Sequence, residues 1–362
     1  MPYTRFQPPL IHWAAKTFWQ VPGRFGIARL LGPSYSLRCV VFHHIAASET
    51  PFTGGINVSI TPERFEAALE FLATYYTPVC LDDVLAAAEG RHLPPRAVLV
   101  TFDDAYASVA ELAAPLCRKF RVPAMFFVNA AFLDNQRLAP DNLVCYVANT
   151  NGMGAINAAA RSVRGADATE MRSLSEVFLG FFPSLSLAER DAFVETLLES
   201  TGISEKSLLK DAGLYMTAEQ LRSLASFDFE IGNHTYTHVH CRSLSQDDLR
   251  QEVDKNKEQL EEISQKKVRS FSQPYGSSDD LTPELARYLK QSGYVAAFLS
   301  ESSANPPSMD AFHLDRVSSR ADNDEDFFLE LEVLPRLRTV RNLLFRRSSA
   351  VSGKNGLRRA VN

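Results

Sequence analysis

The chain has 362 residues, 45% of them hydrophobic, and a formal net charge of −5. A chain this long and apolar can bury a barrel-sized core as one domain, and its acidic balance argues against a general nucleic-acid binder, which needs clustered cations for backbone phosphates. No stretch approaches the roughly twenty apolar residues of a membrane span, and the N-terminus lacks a basic–apolar–small-residue signal pattern. The expected location is therefore cytoplasmic or peripheral to the membrane. Cys39, Cys80, Cys117, Cys145 and Cys241 are scattered, odd in number and without a Cys-x-x-Cys pair, which favours reduced packing thiols.

Residues 1–36 are rich in Trp, Phe and Leu with scattered basic residues. They read as a barrel-covering helix, the alternative being an amphipathic segment on a membrane surface. CVVFHHI at 39–45 is a β-branched strand ending in His43 and His44. Thr61 and Pro62 suit the cap and first position of a helix whose apolar face is Phe65, Leu69 and Leu72. Val98–Phe102 has almost no polar member and predicts a strand buried on both faces. Residues 111–120 look helical, and Pro123–Val128 reads as the next buried strand. Between about 134 and 215 the strand signal disappears, and stretches such as SLAERDAFVETLLES, with Ser186 as cap, predict a helical insertion between strands. Thr217–Gln220 fits a capping box for a helix ending near Ser226. Phe229–Gly232 is a strand end. Residues 244–264, with Leu249, Val253, Leu260 and Ile263 at near-helical spacing, predict a solvated outer helix. VRSFSQ is a strand, Thr282–Glu284 opens a capped helix, and Tyr294–Phe298 is a further strand. Such alternation indicates an α/β barrel or a doubly wound sheet. From Leu334 to Asn362 there are eight Arg or Lys and no acidic residue. This basic helix and tail, with Leu344 and Phe345, could touch anionic lipid or an acidic glycan, or be a solvated tail.

Asp103 and Asp104 stand at the end of the Val98–Phe102 run, the carboxyl edge where α/β folds place their chemistry. Adjacent carboxylates cannot both ionise comfortably without a compensating cation or hydrogen bonds. One reading puts one carboxylate on a metal and leaves its neighbour free to move protons; the other is a helix N-cap and its neighbour. In IGNHTYTHVH (231–240), His234 and His238 are four apart, so one helical turn would put both imidazoles on one face. Imidazole is a common ligand for zinc and similar ions, and His pairs also occur by accident in surface loops. Three of the eight His fall within seven residues here. His240, at i+6, does not share the face.

TFDD at 101–104, HTYTH at 234–238 and QPYG at 273–276, in that order, resemble the polysaccharide deacetylase family, also called NodB-homology or carbohydrate esterase 4. The resemblance runs from about residue 37 to about 320. It implies a distorted (β/α) barrel that removes acetyl groups from sugars with a divalent metal, zinc being the expected ion. It further implies that Asp103 is the catalytic base, that Asp104, His234 and His238 are the metal ligands, and that the backbone N–H of Tyr275 helps hold the oxyanion. Three departures stand out. Ser272 occupies a position where many members have Arg, Ala105 occupies one where many have Gly, and the late Leu-x-His motif has no match, since His313 lies in AFHLDRV. The start FHHI resembles a permuted subgroup whose first strand supplies the catalytic His. On that pattern His43 aligns as the acid, Phe42 replaces the usual Tyr, and Arg316, in LDRV, substitutes for the missing Arg.

The expected organisation is an N-terminal covering or amphipathic segment (1–36), a barrel (37–325) with its helical insertion at about 134–215, and a basic C-terminal helix and tail (326–362). The expected activity is metal-dependent removal of N-acetyl groups from an amino-sugar polysaccharide or glycan precursor, with an acetylated glycan as partner. An O-acetyl esterase or small-amide hydrolase on the same barrel is one alternative. A non-catalytic glycan-binding barrel is the other, favoured by Ser272 and the missing late motif and opposed by the intact Asp pair.

Overall fold

Val98–Phe102 forms the strand that its β-branched run predicts, and that strand lies in the interior of a parallel sheet. The computed structural model describes residues 35–335 apart from 166, 167, 228 and 320–322. The covering segment expected before residue 35 and the basic tail expected beyond 335 lie outside the described residues.

Ten strands are present among the described residues: β1 (Arg38–Phe42), β2 (His44–Ile45), β3 (Ser59–Ile60), β4 (Thr77–Pro78), β5 (Ala97–Phe102), β6 (Ala124–Val128), β7 (Glu230–Asn233), β8 (Ser270–Ser272), β9 (Ala296–Phe298) and β10 (Arg316–Ser318). The main sheet runs β10-β1-β5-β6-β7-β8-β9, with β4 also on β5, and every pair is parallel. A parallel bridge from Phe298 to Leu314, two residues before β10, brings the two ends of this path together. The result is a nearly closed, distorted barrel with helices around it.

Alternation along the strands sorts the core into two sides. Val40, Val98, Val100, Phe102, Phe126 and Ile231 belong to the apolar layer beneath the surrounding helices, whereas Cys39, Leu99, Met125, Phe127, Ala296 and Phe298 form a separate cluster. All six residues of β5 are buried, and Phe102 stacks on Phe126 at 4.8 Å. Burying each such side chain contributes about 1.5–3 kcal/mol. Arg38, at the start of β1, ties the last described helical segment to the barrel. Its Nε donates to the Leu331 carbonyl and its Nη2 to Glu332, whose other oxygen accepts from the Tyr76 hydroxyl. Removing one partner of such a buried pair typically costs about 3–5 kcal/mol.

The parallel register brings the carboxyl ends of the strands to one rim. Phe42 pairs with Phe102, Phe102 with Phe126, Val128 with Asn233, Asn233 with Phe271 and Ser272 with Phe298. His43, Asp103, His234 and Gln273, each immediately after its strand, therefore emerge together.

Between β6 and β7 the chain forms the helices Pro140–Thr150, Met153–Arg164, Leu187–Thr201 and Glu205–Ala212. Ser186 closes a capping box with Glu189 at the start of Leu187–Thr201. These helices share their own apolar cluster, including Leu143, Val144, Ile156, Phe178, Phe193 and Leu197. Tyr215 returns the chain to the barrel by bridging Tyr106 and stacking between Tyr106 and Phe132. Among the described residues no helix is long and apolar enough to cross a membrane.

Candidate active site

Asp103 follows β5 directly and is held at its backbone, where its N–H donates to the Phe42 carbonyl. The next helical turn begins only at residue 107, so neither Asp of the pair sits at the cap expected in the alternative reading. Asp104 and Ala105 instead take left-handed conformations, with φ of 72° and 58°. A non-glycine residue held in this region costs on the order of 1–3 kcal/mol, which gives a physical reason for Gly at the position of Ala105.

Arg316 reaches Asp103 from β10. Its Nη1 and Nη2 donate to Oδ1 and Oδ2 of Asp103, both at 2.7 Å. The remaining donors are also used: Nε on the Leu299 carbonyl, Nη1 on the Thr101 hydroxyl, and Nη2 on Ser272 and Ser300. Ser272, at the position where many family members carry Arg, accepts from Arg316 at 2.8 Å and donates to Asp103 at 3.3 Å. A small hydroxyl thus stands where an Arg side chain would compete with Arg316 for the same carboxylate. Burial alone would push the Asp103 carboxyl up, but Arg316, with help from His234, outweighs it and holds the group below its usual range.

Asp104 has the opposite surroundings. Its Oδ1 lies 3.3 Å from His234 Nε2 and 3.4 Å from His238 Nε2, and this buried oxygen has no hydrogen-bond partner. The two imidazoles do not converge through a helical turn, as their four-residue spacing suggested. Residues 234–240 form a loop in which Thr235 (φ 61°) and His238 (φ 55°) are left-handed. Buried hydrogen bonds hold the loop in that shape. Asn129 donates to the carbonyls of His234 and Thr235. The Glu252 carboxylate accepts from the Thr237 N–H and hydroxyl, and Arg190 of the helical insertion donates to the Thr237 carbonyl and hydroxyl oxygens.

Each imidazole is oriented through Nδ1. His234 faces the Ser272 carbonyl at 2.8 Å, and His238 faces Asp141 Oδ2 at 2.8 Å. A carbonyl or carboxylate can only accept, so Nδ1 carries the proton in the neutral ring and the Nε2 lone pair is turned towards Asp104. Two lone pairs facing one unpartnered carboxylate oxygen are mutually repulsive unless a cation lies among them. One ligand atom from each of Asp104, His234 and His238 falls in a group whose members lie within 4.8 Å of one another. This donor set fits a divalent cation and leaves coordination positions open. Burial disfavours a charged His238, but Asp141 and Asp104 together push its pKa up.

His43, half-buried, stands just past β1. Burial pulls its pKa down, and the nearby Asp104 and Asp103 charges only partly offset this. Tyr275, in the segment after β8, is buried and left-handed at φ 61°. Its ring lies flat on His240 at 3.7 Å, and its hydroxyl donates to Asp141 Oδ1 at 2.5 Å. His240 is not among the converging ligands: Nδ1 faces Asp280 and Nε2 faces the Phe178 carbonyl. His313 is exposed beside Asp310, away from the cluster. All five cysteines are free thiols, four of them buried.

A sequence model described as polysaccharide deacetylase matches residues 90–296, more than half of the chain. The chain belongs to the polysaccharide deacetylase family. It is a hydrolase of the deacetylase kind, with an acetylated glycan as the family's kind of substrate. No curated protein sequence matches it. Among solved structures it is similar to the Streptococcus pyogenes deacetylase PplD in complex with acetate, with TM-score 0.54 and 14% identity over 83% of this chain and 98% of that one. A de-N-acetylase from Aggregatibacter actinomycetemcomitans gives TM-score 0.52 and 16% identity over 82% and 99%. A polysaccharide deacetylase from Bacillus cereus gives 0.51 and 13% over 82% and 69%. At these identities the likeness carries the fold, the distorted (β/α) barrel.

The sequence pointed to Asp103, Asp104, His234, His238, His43, Tyr275 and Arg316; the first six lie around the same rim, and Arg316, level with Cys39 on the sheet, reaches Asp103 with its side chain. It missed Asp141. That residue comes from the insertion, lies 97 positions before its partner His238, and belongs to none of the three motifs.

Proposed function

We propose that this polysaccharide deacetylase is metal-dependent and removes the N-acetyl group of an amino-sugar glycan. The observation that carries the reading is the juxtaposition of a carboxylate locked by Arg316, Asp103, with an Asp104–His234–His238 set whose ligand atoms face one another. Asp104, His234 and His238 would hold the cation, and a set of one oxygen and two nitrogens suits zinc. Bound there, the ion supplies Lewis acidity to the acetyl carbonyl and to water.

The chain's own groups divide the remaining work. Asp103, kept ionised by Arg316, accepts the proton of the attacking water as general base. The Tyr275 N–H donates to the oxyanion that develops on the acetyl carbonyl, and such a donor is commonly worth about 2.7–4 kcal/mol. His43 delivers a proton to the departing sugar nitrogen. Burial disfavours its imidazolium, which the Asp104 and Asp103 charges partly stabilise; that imidazolium takes its proton from solvent before attack and ends neutral, while the proton drawn from water stays on Asp103 until acetate leaves. The acetate named with the Streptococcus pyogenes structure is the product that this reaction releases.

The test compares acetate release from N-acetylglucosamine oligomers and from acetylated xylan, with wild type and Asp103→Asn. Release from the oligomers alone, with the variant binding metal normally but slowed on the order of 10²–10⁴-fold, is expected. Preference for xylan would move the assignment to an ester, and no release from either would overturn the amino-sugar assignment.

A further inference from the structure

Asp141 stands behind the metal-ligand candidates and divides its carboxylate between two of the site's parts. It is buried, in the first turn of the helix Pro140–Thr150 of the insertion. Oδ2 accepts from His238 Nδ1 at 2.8 Å, and Oδ1 accepts from the Tyr275 hydroxyl at 2.5 Å. The His238 and Tyr275 rings lie 4.9 Å apart, centroid to centroid. We propose that Asp141 is a positioning residue which fixes His238 with Nε2 presented to a cation, and which through Tyr275 holds the oxyanion segment in register with that ligand. This inference rests on the metal-dependent reading above.

Three features support it. A carboxylate can only accept, so it selects the Nδ1–H tautomer and turns the Nε2 lone pair to Asp104 Oδ1, 3.4 Å away. A carboxylate behind a ligating imidazole also raises its basicity as a ligand, which the neutral Ser272 carbonyl behind His234 does far less. The Asp141 charge is itself stabilised, by two charge-assisted hydrogen bonds and by its place at the start of a helix. The insertion is thus a fixed wall of the site, because a swinging lid would carry Asp141 away from His238. Arg190, from the same insertion, fastens the His234–His238 loop at Thr237.

The experiment measures zinc affinity of the full chain by competition with a chromophoric chelator at pH 7. Asp141→Asn keeps the shape and removes the charge, and it should weaken binding by about 10–100-fold with the far-ultraviolet circular dichroism of wild type. Wild type that binds no zinc would overturn the metal-dependent reading and this inference with it. Zinc-binding wild type with an Asp141→Asn affinity within twofold would overturn the positioning role alone. The nitrogen-15 spectrum of zinc-loaded, histidine-labelled wild type needs no variant to fold. It should show His238 protonated at Nδ1 and metallated at Nε2, and metal on Nδ1 would overturn the proposal.

Discussion

Asp103 and Asp104 differ by one position and by almost everything around them. Asp103 has both oxygens on one guanidinium and a hydroxyl beside them, whereas Asp104 turns a bare oxygen to two imidazoles. Like-charge physics asks for such a division, because each carboxylate then has its own compensating partner. The fork geometry of Arg316 is what fixes Asp103, and a lysine ammonium cannot reproduce it. Arg316→Lys should therefore lower kcat/KM on the order of ten- to a hundredfold through misplacement of the base. It should also act on pH dependence. Arg316 lowers the Asp103 pKa, so weakening that contact raises it, and the acid limb of the kcat/KM profile should move to higher pH. A profile superimposable on wild type would remove Arg316 from the mechanism.

The longer strands were legible in the sequence because β-branched and aromatic runs such as Val98–Phe102 and Ala124–Val128 have few other stable conformations, whereas β3 and β4, two residues each, form no such run and were not read. The capped helices after Thr61, Ser186, Thr217 and Thr282 were legible because each cap's side chain accepts from the backbone N–H three residues on. The His234–His238 loop was misread as a helical turn, since spacing cannot disclose left-handed residues that distant groups impose. Asn129, Glu252 and Arg190 do the imposing here, from three separate parts of the chain. The segment after β8 is under similar constraint. Gly276 has φ +69°, and a Cβ there would lie 2.4 Å from the Ser300 Cβ and 2.7 Å from its backbone nitrogen. Gly276→Ala should shift the Tyr275 backbone or cost about 2 kcal/mol or more of stability, read as a lower urea midpoint and a lower kcat. An unchanged midpoint and kcat would show that this segment is not held as described.

At the scale of the whole molecule, the barrel gathers residues that the sequence keeps far apart. Arg316 lies 213 positions from Asp103 and Asp141 lies 97 from His238, yet each pair is within hydrogen-bonding distance. The motif residues were legible because three short patterns recur in a fixed order. Arg316 was legible only as the replacement for a missing partner, and Asp141 had no pattern to announce it. The parallel register then does what motifs cannot, by bringing β1, β5, β7 and β8 to a common rim, with β10 sending Arg316 to it. On the proposed function, Asp104, His234 and His238 hold a cation without which the rim is inert. The most direct measurement is acetate release from an N-acetylglucosamine oligomer by the full chain, before chelation, after chelation and after one equivalent of zinc is restored. Wild type should lose release on chelation and regain it with zinc, and His234→Ala should not regain it. Undiminished release from metal-free protein, or full recovery in His234→Ala, would contradict the proposed function.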